Sequence, residues 1–360
     1  MFYNIYLSFQ NVLSGLNILR YITFRSVFGF ITSFLMVILL GKLFIRYLKR
    51  IRLEEHIDMY GHIKLQKIFN GKKGTPTMGG ILIVSSIVIS SLLWADLNNI
   101  FVWLSLGVIV WFAVFGFLDD YSKFRKKKGF SRTFKFVIQA VLGLVLGFIL
   151  LNLKILPPTV YFPFFKNFVI NLGYFYIIWT ALVISASCNS VNFTDGLDGL
   201  VLGNVLMVSL VFSIFSYISG NIKFSRYLFL PFINGAGELS VICSSILGAG
   251  LGFLWFNAHP AEVFMGDVGA SALGGALGAI ALFTKKELWL IIAGGVFVLE
   301  ALSVILQIFS VKVFKKRLFK AAPLHHHFQL SGWAEPKITV RFWIIASLCA
   351  ALALATLKIR

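Results

Sequence analysis

The sequence has little charge and few cysteines. Charged residues make up 13% of the 360 residues, only 14 residues are acidic, and hydrophobic residues make up 58%. Because soluble domains carry about 25% charged residues, this composition excludes an ordinary soluble globular protein. The three cysteines lie in or at the ends of apolar segments without any CxxC pair, which favours small buried side chains over a redox or metal role.

Long apolar runs recur along the whole chain. Each is close to the roughly 20 residues that span a bilayer as a helix. They predict an all-α polytopic membrane protein with ten transmembrane helices, forming one integral membrane domain over residues 1–360. No soluble domain, low-complexity linker or cleavable signal peptide is recognised. The predicted spans are roughly 21–47, 78–95, 100–118, 134–151, 174–191, 199–219, 238–256, 268–284, 288–310 and 339–357.

Positive charge is concentrated in alternate connections between these spans. Segments 49–77, 119–135 and 312–337 hold seven, seven and six Lys and Arg, whereas the connections on the opposite side hold six together. By the positive-inside rule, the rich side faces the cytoplasm and both termini lie in the periplasm. The net charge of +19 therefore reflects topology rather than nucleic-acid binding, and it can also attract anionic lipid or substrate.

The first of five polar motifs on the predicted cytoplasmic side is GFLDDY, which puts Asp119 and Asp120 at the end of the third span. Two adjacent carboxylates repel each other and are costly near hydrocarbon unless a cation compensates. The basic run KFRKKK at 123–128 could supply that compensation without a metal. Taken alone, the pair is equally consistent with a solvated helix end.

The second motif, NSVNFTDGLDGL, repeats a polar side chain every three residues, at Asn189, Asn192, Asp195 and Asp198. On a continuous helix this spacing places them near one face, drifting by about 60° per step. The glycines between them loosen the helix and permit close backbone approach. Packing between apolar spans is a poor explanation for such a set, so it is a candidate binding surface.

Two further motifs suit an anion. FNAHPAEVFMGDVGAS places Asp267 at a predicted helix start, where free N–H groups attract phosphate, although Asp267 can also be a plain helix cap. KKGTPTMGG places Lys72 and Lys73 before a Gly- and Thr-rich turn. That turn suits anion contact but is not a P-loop, and an ordinary interfacial turn remains open.

The fifth motif is the run of three histidines in APLHHHFQ, His325, His326 and His327. Adjacent residues point about 100° apart on a helix, so the three rings cannot close on one zinc ion. The internal position argues against an expression tag. A polar loop and a set of donors for an anion remain as interpretations.

Carboxylates, amides, lysines and imidazoles on one membrane face predict a site for a metal and a polyphosphate. Oxygen ligands without cysteine favour magnesium or manganese. Glu300 and Gln307 lie inside the ninth span, where an ionisable residue is a functional candidate, although Glu300 can equally pair with another helix. Segment 311–322 predicts an interfacial helix that continues from that span.

These motifs, taken in order, resemble the phospho-N-acetylmuramoyl-pentapeptide transferase family of bacterial membrane enzymes. The resemblance covers nearly the whole chain, from YITFRS at 21–26 to EPKITVRFWIIAS at 335–347. FLDDY or MGDVG alone would indicate only the wider superfamily of polyprenyl-phosphate phosphosugar transferases. The chain departs from the family in the segment before Lys72, in Ala270 after MGDVG and in Gln329 after HHHF. The matching motifs are GTPTMGG, GFLDDY, NFTDGLDGL, GFLWFN, FMGDVG and APLHHHF.

The resemblance implies ten transmembrane helices with both termini outside, in the bacterial cytoplasmic membrane, and association as a homodimer. It implies a magnesium-dependent transfer of phospho-MurNAc-pentapeptide from UDP-MurNAc-pentapeptide to undecaprenyl phosphate, giving lipid I and UMP. The implied catalytic residues are Asp119, Asp120, Asp267 and His325, with Asp267 as the magnesium ligand. The implied substrate-binding residues are Lys72 (aligned less securely against Lys73), Thr77, Asn192, Asp195, Gly196, Leu197, Asp198, Asn257, Phe264, Gln307, His326 and His327.

Two other functions remain open from the sequence. A sister enzyme would transfer GlcNAc-1-phosphate from UDP-GlcNAc to the same lipid, and the HHH triplet argues against it. A transporter would use intramembrane acids, usually near the midplane and often within inverted repeats. Here the acids gather at one membrane face and no repeat is apparent.

Overall fold

The computed structural model describes residues 1–9, 14–51, 72, 74–165 and 168–358. These residues form fourteen α-helices and one two-stranded antiparallel sheet, which confirms the predicted all-α class. The sheet pairs β1 (Thr159–Tyr161) with β2 (Val169–Asn171). The helices are α1 (Phe2–Phe9), α2 (Ile22–Ile51), α3 (Gly80–Trp94), α4 (Ile100–Lys126), α5 (Arg132–Asn152), α6 (Tyr176–Thr194), α7 (Leu200–Ser219), α8 (Ile222–Tyr227), α9 (Leu239–Asn257), α10 (Gly266–Phe283), α11 (Glu287–Ala293), α12 (Gly295–Phe314), α13 (Leu324–Leu330) and α14 (Glu335–Ala355).

Nine helices in the described part of the chain are long and apolar enough to cross a membrane. The predicted second span forms α3, which has 15 residues. At 1.5 Å per residue, α3 is about 22 Å long, shorter than the roughly 30 Å of a bilayer core. The structure therefore confirms a polytopic helical membrane protein, while the count of ten spans and their orientation stay predictions.

Two predicted boundaries were wrong. The third span was expected to end at residue 118, but α4 continues through Asp119 and Asp120 to Lys126. Both carboxylates lie within 2.9 Å of the Lys123 ammonium on the same helix, and this local compensation lets the helix continue while the acids are buried. The ninth span is divided at Gly294 into α11 and α12, because glycine weakens a helix interior.

The interfacial helix predicted over 311–322 is also absent. The structure ends α12 at Phe314, and Lys315 adopts a left-handed backbone with φ 56°. The Gln307 side chain replaces helix bonds in the segment that follows, because its amide accepts from the Phe319 N–H at 2.9 Å and donates to the Phe319 carbonyl at 3.3 Å.

Helix α10 lies at the centre of the bundle, with 89% of its apolar window buried. Its sequence, GDVGASALGGALGAIALF, is rich in small residues that let neighbouring helices approach closely. Gly274 faces the backbone of Cys188 on α6, and Gly275 faces the Phe112 ring on α4. This close packing brings the ends of α4 and α6 to the first turn of α10, where Asp267 stands.

Candidate active site

Three carboxylates from two helices meet at the start of α10. Oxygen atoms of Asp119, Asp120 and Asp267 all lie within 4.8 Å of one another. Asp119 is fully buried and Asp120 is 5% exposed. Three acids at this spacing repel one another strongly unless cations are present, so the cluster must hold compensating charge.

Close backbone packing creates this cluster. Gly116 lies one turn before the acid pair on α4, and a Cβ there would overlap the Asp267 carbonyl. Gly266 has φ +72°, a left-handed conformation that glycine adopts readily, and a Cβ on it would lie 2.6 Å from Asp120 Oδ2. The same Asp120 oxygen accepts the Val268 N–H at 3.3 Å, so Asp120 satisfies one of the free N–H groups of the α10 N-terminus.

Two lysines neutralise the acids. The Lys123 ammonium lies 2.9 Å from Asp119 Oδ2, Asp120 Oδ1 and Asp267 Oδ2. The Lys135 ammonium, contributed by α5, lies 2.7 Å from Asp119 Oδ2 and 2.6 Å from Asp267 Oδ2. Asp119 Oδ1 accepts the Phe130 N–H at 2.6 Å, which ties the α4–α5 connection to the cluster.

The cluster fits a divalent cation chemically. Its ligands are carboxylate oxygens without thiols, the donor set of a hard ion. Asp267 Oδ2 faces both ammonium groups, so this oxygen already lies in a position that attracts positive charge. The structure thus brings together three of the four predicted catalytic residues, and Thr77 lies beside them, because a Cβ on Gly266 would be 3.0 Å from its hydroxyl.

The polar repeat of NSVNFTDGLDGL does not form one helical face, contrary to prediction. Helix α6 ends at Thr194, and α7 begins after Gly199, which has φ +71°. Asn192 donates to Asp267 Oδ1 at 3.2 Å, but Asn189 donates to Gln139 Oε1 on α5 at 2.6 Å. The glycine-containing turn breaks the helical register, so the repeat serves several contacts rather than one.

Asp198 lies in a second charged cluster. Asp198 Oδ1 lies 2.6 Å from the Lys72 ammonium, and Asp198 Oδ2 lies 2.9 Å from His259 Nδ1. Glu335 of α14 lies 2.5 Å from the same ammonium. Asp195, the other acid of this turn, follows α6 as its C-cap residue and is half-buried. Lys73, the alternative to Lys72, lies outside the described residues.

Asn257 and Phe264 border this second cluster. Asn257 Oδ1 accepts the Gly199 N–H at 3.1 Å, and its amide donates to the Val263 carbonyl at 2.8 Å. The Lys72 ammonium lies 5.7 Å from the centre of the Phe264 ring. The structure therefore places an aromatic face, a cation and an amide beside one turn.

The histidine run forms α13, and its first ring packs against the α6–α7 turn. A Cβ on Gly196 would overlap His325 Nε2. The buried His325 receives support from Glu300 Oε1, which accepts the His325 N–H at 3.2 Å and lies 3.3 Å from Nδ1. Leu197 is buried in the same turn and belongs to a small apolar cluster between α7, α12 and α14.

The other two histidines have different surroundings. His326 Nδ1 lies 2.9 Å from Gln329 Oε1. Burial lowers the pKa of His326 to about 3, the nearby His325 and Lys72 act in the same direction, and the hydrogen bond opposes them, so the ring is neutral at pH 7. His327 Nδ1 accepts the Lys320 N–H at 3.2 Å.

Gln307 lies outside both charged clusters. Both ends of its amide bond to the Phe319 backbone, in the segment that leads to α13. Its contacts with described residues therefore support the histidine helix, and its role in substrate binding stays a prediction.

Three residues of the site were not singled out by the sequence. Lys135 and Glu335 lie far along the chain from their partners, so no local pattern reveals them. His259 offered a signal, since it is one of only six histidines and stands in the FNAHPAEVFMGDVGAS motif.

Comparisons with known proteins show which family the chain belongs to. The chain matches the model of glycosyl transferase family 4 over residues 102–285 and signature 1 of phospho-N-acetylmuramoyl-pentapeptide-transferase over residues 72–84. It is 49% identical over 349 residues to the phospho-N-acetylmuramoyl-pentapeptide-transferase of Citrifermentans bemidjiense, with 96% of each chain covered. The proteins of that name from Desulfotalea psychrophila and Pelagibacter ubique are 46% identical, with both chains fully covered.

Proposed function

The chain belongs to the phospho-N-acetylmuramoyl-pentapeptide-transferase family, and we propose that it transfers phospho-MurNAc-pentapeptide from UDP-MurNAc-pentapeptide to undecaprenyl phosphate. The products are lipid I and UMP, in the first membrane step of peptidoglycan synthesis. The main observation behind this proposal is the acid–lysine cluster at the start of α10. Beside it, the Phe264 ring and the Lys72 ammonium border the α6–α7 turn. The enzyme works in the bacterial cytoplasmic membrane with its site facing the cytoplasm, and it assembles as a homodimer.

Magnesium is the cofactor of this proposal, held by Asp267 with Asp119 and Asp120 within reach. When bound, the ion would supply positive charge for the donor pyrophosphate. Asp267 keeps its orientation through Asn192, which donates to Oδ1 and leaves Oδ2 directed at the lysines.

Lys123 and Lys135 act on the reacting phosphates in this proposal. Each ammonium is already held at the cluster by its ion pairs with the carboxylates. No long-range movement of the chain is therefore needed to bring it to the site. In the reaction, both attacking and leaving groups are anionic, and fixed positive charge is the main stabilisation that a protein can supply.

Direct attack by the lipid phosphate is the mechanism that the site favours. A phosphate monoester has a second pKa of about 6, so it is mostly dianionic at pH 7 and hardly needs a strong base. Its oxygen forms a bond to the phosphorus attached to the sugar, and the pyrophosphate bond to UMP breaks. Asp119 is buried against two ammonium groups and the Phe130 N–H, which suits positioning better than nucleophilic attack. A phospho-aspartyl enzyme trapped without acceptor would contradict this mechanism.

The nucleotide part of the donor binds at the second cluster. Phe264 stacks on uracil, while Lys72, Asp198 and Asn257 border the base. Asp195, Gly196 and Leu197 complete the turn, and the proposal assigns His325, His326 and His327 to the phosphates. Gln307 supports this arrangement through the segment before α13.

An apolar cavity beside the site suits the lipid chain of the acceptor. It lies between α6, α10, α11 and α12 and has a volume of about 130 Å³. Along α6 it runs from Trp179 to Val191, about 18 Å at helical rise, and Val191 adjoins Asn192 of the acid cluster. Exposed Leu182 and Ile291 on its walls show that it opens toward the lipid-facing surface.

Release of UMP by the purified protein in lipid–detergent micelles tests the proposal. Magnesium and undecaprenyl phosphate are supplied, and UDP-MurNAc-pentapeptide is compared with UDP-GlcNAc. The proposal expects release with the muramoyl donor alone. Release with UDP-GlcNAc instead would assign the chain to the sister activity, and release with neither donor from folded protein would reopen the transporter interpretation.

A further inference from the structure

One face of the C-terminal helix binds the backbone of the α6–α7 turn. Glu335, Thr339 and Trp343 are spaced four residues apart on α14, so they line one face. Glu335 Oε1 accepts the Asp198 N–H at 2.8 Å, and the Thr339 hydroxyl donates to the Asp198 carbonyl at 3.3 Å. Trp343 Nε1 donates to the Gly199 carbonyl at 3.2 Å, so one helix fixes three backbone groups of the turn.

Glu335 also fixes a side chain. The oxygen that accepts the Asp198 N–H lies 2.5 Å from the Lys72 ammonium, which is 2.6 Å from Asp198 Oδ1. The exposed fractions of the three side chains are 9%, 2% and 14% for Glu335, Asp198 and Lys72. Charge-assisted hydrogen bonds in such a poorly hydrated place are short and strong, so the two carboxylates together determine where Lys72 stands.

Lys72 in turn borders the surface assigned to the nucleotide. Its ammonium lies over the Phe264 ring, within the roughly 6 Å at which a cation interacts with an aromatic face. A shift of Lys72 or of the Asp198 turn therefore changes the space beside Phe264. The described contacts of Glu335 reach this pocket and do not include the Asp267 cluster.

We propose that Glu335 is a positioning residue of the nucleotide pocket, which presets Lys72 and the Asp198 turn for the uridine part of the donor. This inference rests on the proposed function. Preorganisation lowers the cost of binding, because the ordering is complete before the ligand arrives. Glu335 should therefore affect nucleotide affinity and leave the chemical step almost unchanged.

Binding of UMP to the purified protein, measured by calorimetry, tests this role beside steady-state turnover. Glu335→Gln keeps an oxygen for the Asp198 N–H but removes the charge that holds Lys72. The expected result is an increase of about tenfold in the Kd for UMP and in the KM for the donor, with kcat nearly constant. Glu335→Asp, which retains the charge, should recover part of the affinity.

Glu262→Gln is the matched control, because it removes one negative charge from the connection between Asn257 and Phe264. The Glu262 side chain is exposed and forms no ion pair with a described residue. Its UMP affinity should equal that of the wild type, so that a loss in Glu335→Gln reflects contact rather than net charge. Hydrogen exchange over residues 196–200 should stay slow in Glu335→Gln and become faster in Glu335→Ala.

The possible failures are distinguishable. If wild-type protein binds no uridine nucleotide and releases no UMP, the proposed function fails and the role of Glu335 fails with it. If the wild type binds UMP and Glu335→Gln binds it equally well, only the role of Glu335 is refuted. A fall in kcat with an unchanged KM would refute that role too.

Discussion

Gly196→Ala should displace a histidine without disturbing the membrane fold. A Cβ at position 196 would overlap His325 Nε2, nearer than real Cβ atoms approach any atom. The ring has little room to retreat, since it is fully buried, packs on His326 with ring centres 4.1 Å apart, and lies 3.3 Å from Glu300 Oε1. Overpacking a closed site of this kind costs about 1–3 kcal/mol.

The loss should appear mainly in turnover. A displacement near 1 Å in an active-site group costs about 100-fold in rate, so kcat/KM for UMP release should fall by about 10- to 100-fold. The melting temperature in detergent should fall little, because the clash is local. Gly107→Ala is the matched control, since no described atom lies within 4 Å of a Cβ there and α4 gains a better helix former.

A double-mutant cycle separates this explanation from a general defect. If Gly196→Ala acts through His325, it should cause little further loss in a His325→Ala background. Independent, multiplying losses would refute the reasoning, and so would full activity of Gly196→Ala.

Two further predictions concern the ion pairs at the two ends of the bundle. Lys135→Gln, which removes contacts of 2.7 and 2.6 Å to Asp119 and Asp267, should lower kcat about 100-fold in the UMP assay, while Lys128→Gln on the exposed connection should not. Arg25→Met should destabilise the protein by about 3–5 kcal/mol in denaturant titrations, because it leaves the buried Glu238 carboxylate without its two 2.6 Å guanidinium bonds. Adding Glu238→Gln should restore part of that stability. If Arg25→Met alone were as stable as the wild type, the stabilising role of the Arg25–Glu238 ion pair would be contradicted.

The sequence predicted the class of fold because hydrocarbon imposes long apolar runs. The boundaries were less predictable, since they depend on compensation between side chains. The continuation of α4 past Asp119 and Asp120 rests on Lys123, which the sequence showed only as part of a basic run. The end of α12 rests on contacts between Gln307 and the Phe319 backbone, which no periodicity reports.

The site was predictable where one short segment carries the chemistry. Asp267 at a helix start follows from a local pattern and appears in the structure, whereas the turn beside Asp198 replaces the continuous helical face that the polar repeat predicted. Lys135 and Glu335 could not be predicted in this way, because each meets its partners only through tertiary packing. The metal and substrate roles of all these residues stay predictions until they are measured.

Magnesium-dependent UMP release by wild-type protein and by Asp267→Asn tests the central claim most directly. Both proteins are given UDP-MurNAc-pentapeptide and undecaprenyl phosphate, and magnesium is titrated after chelation. The account predicts that the wild type requires the ion and that Asp267→Asn releases almost no UMP at any magnesium concentration, while its melting temperature changes little. Turnover by Asp267→Asn at the wild-type rate, or wild-type turnover without a divalent ion, would contradict the assignment of the acid cluster as the centre of transfer.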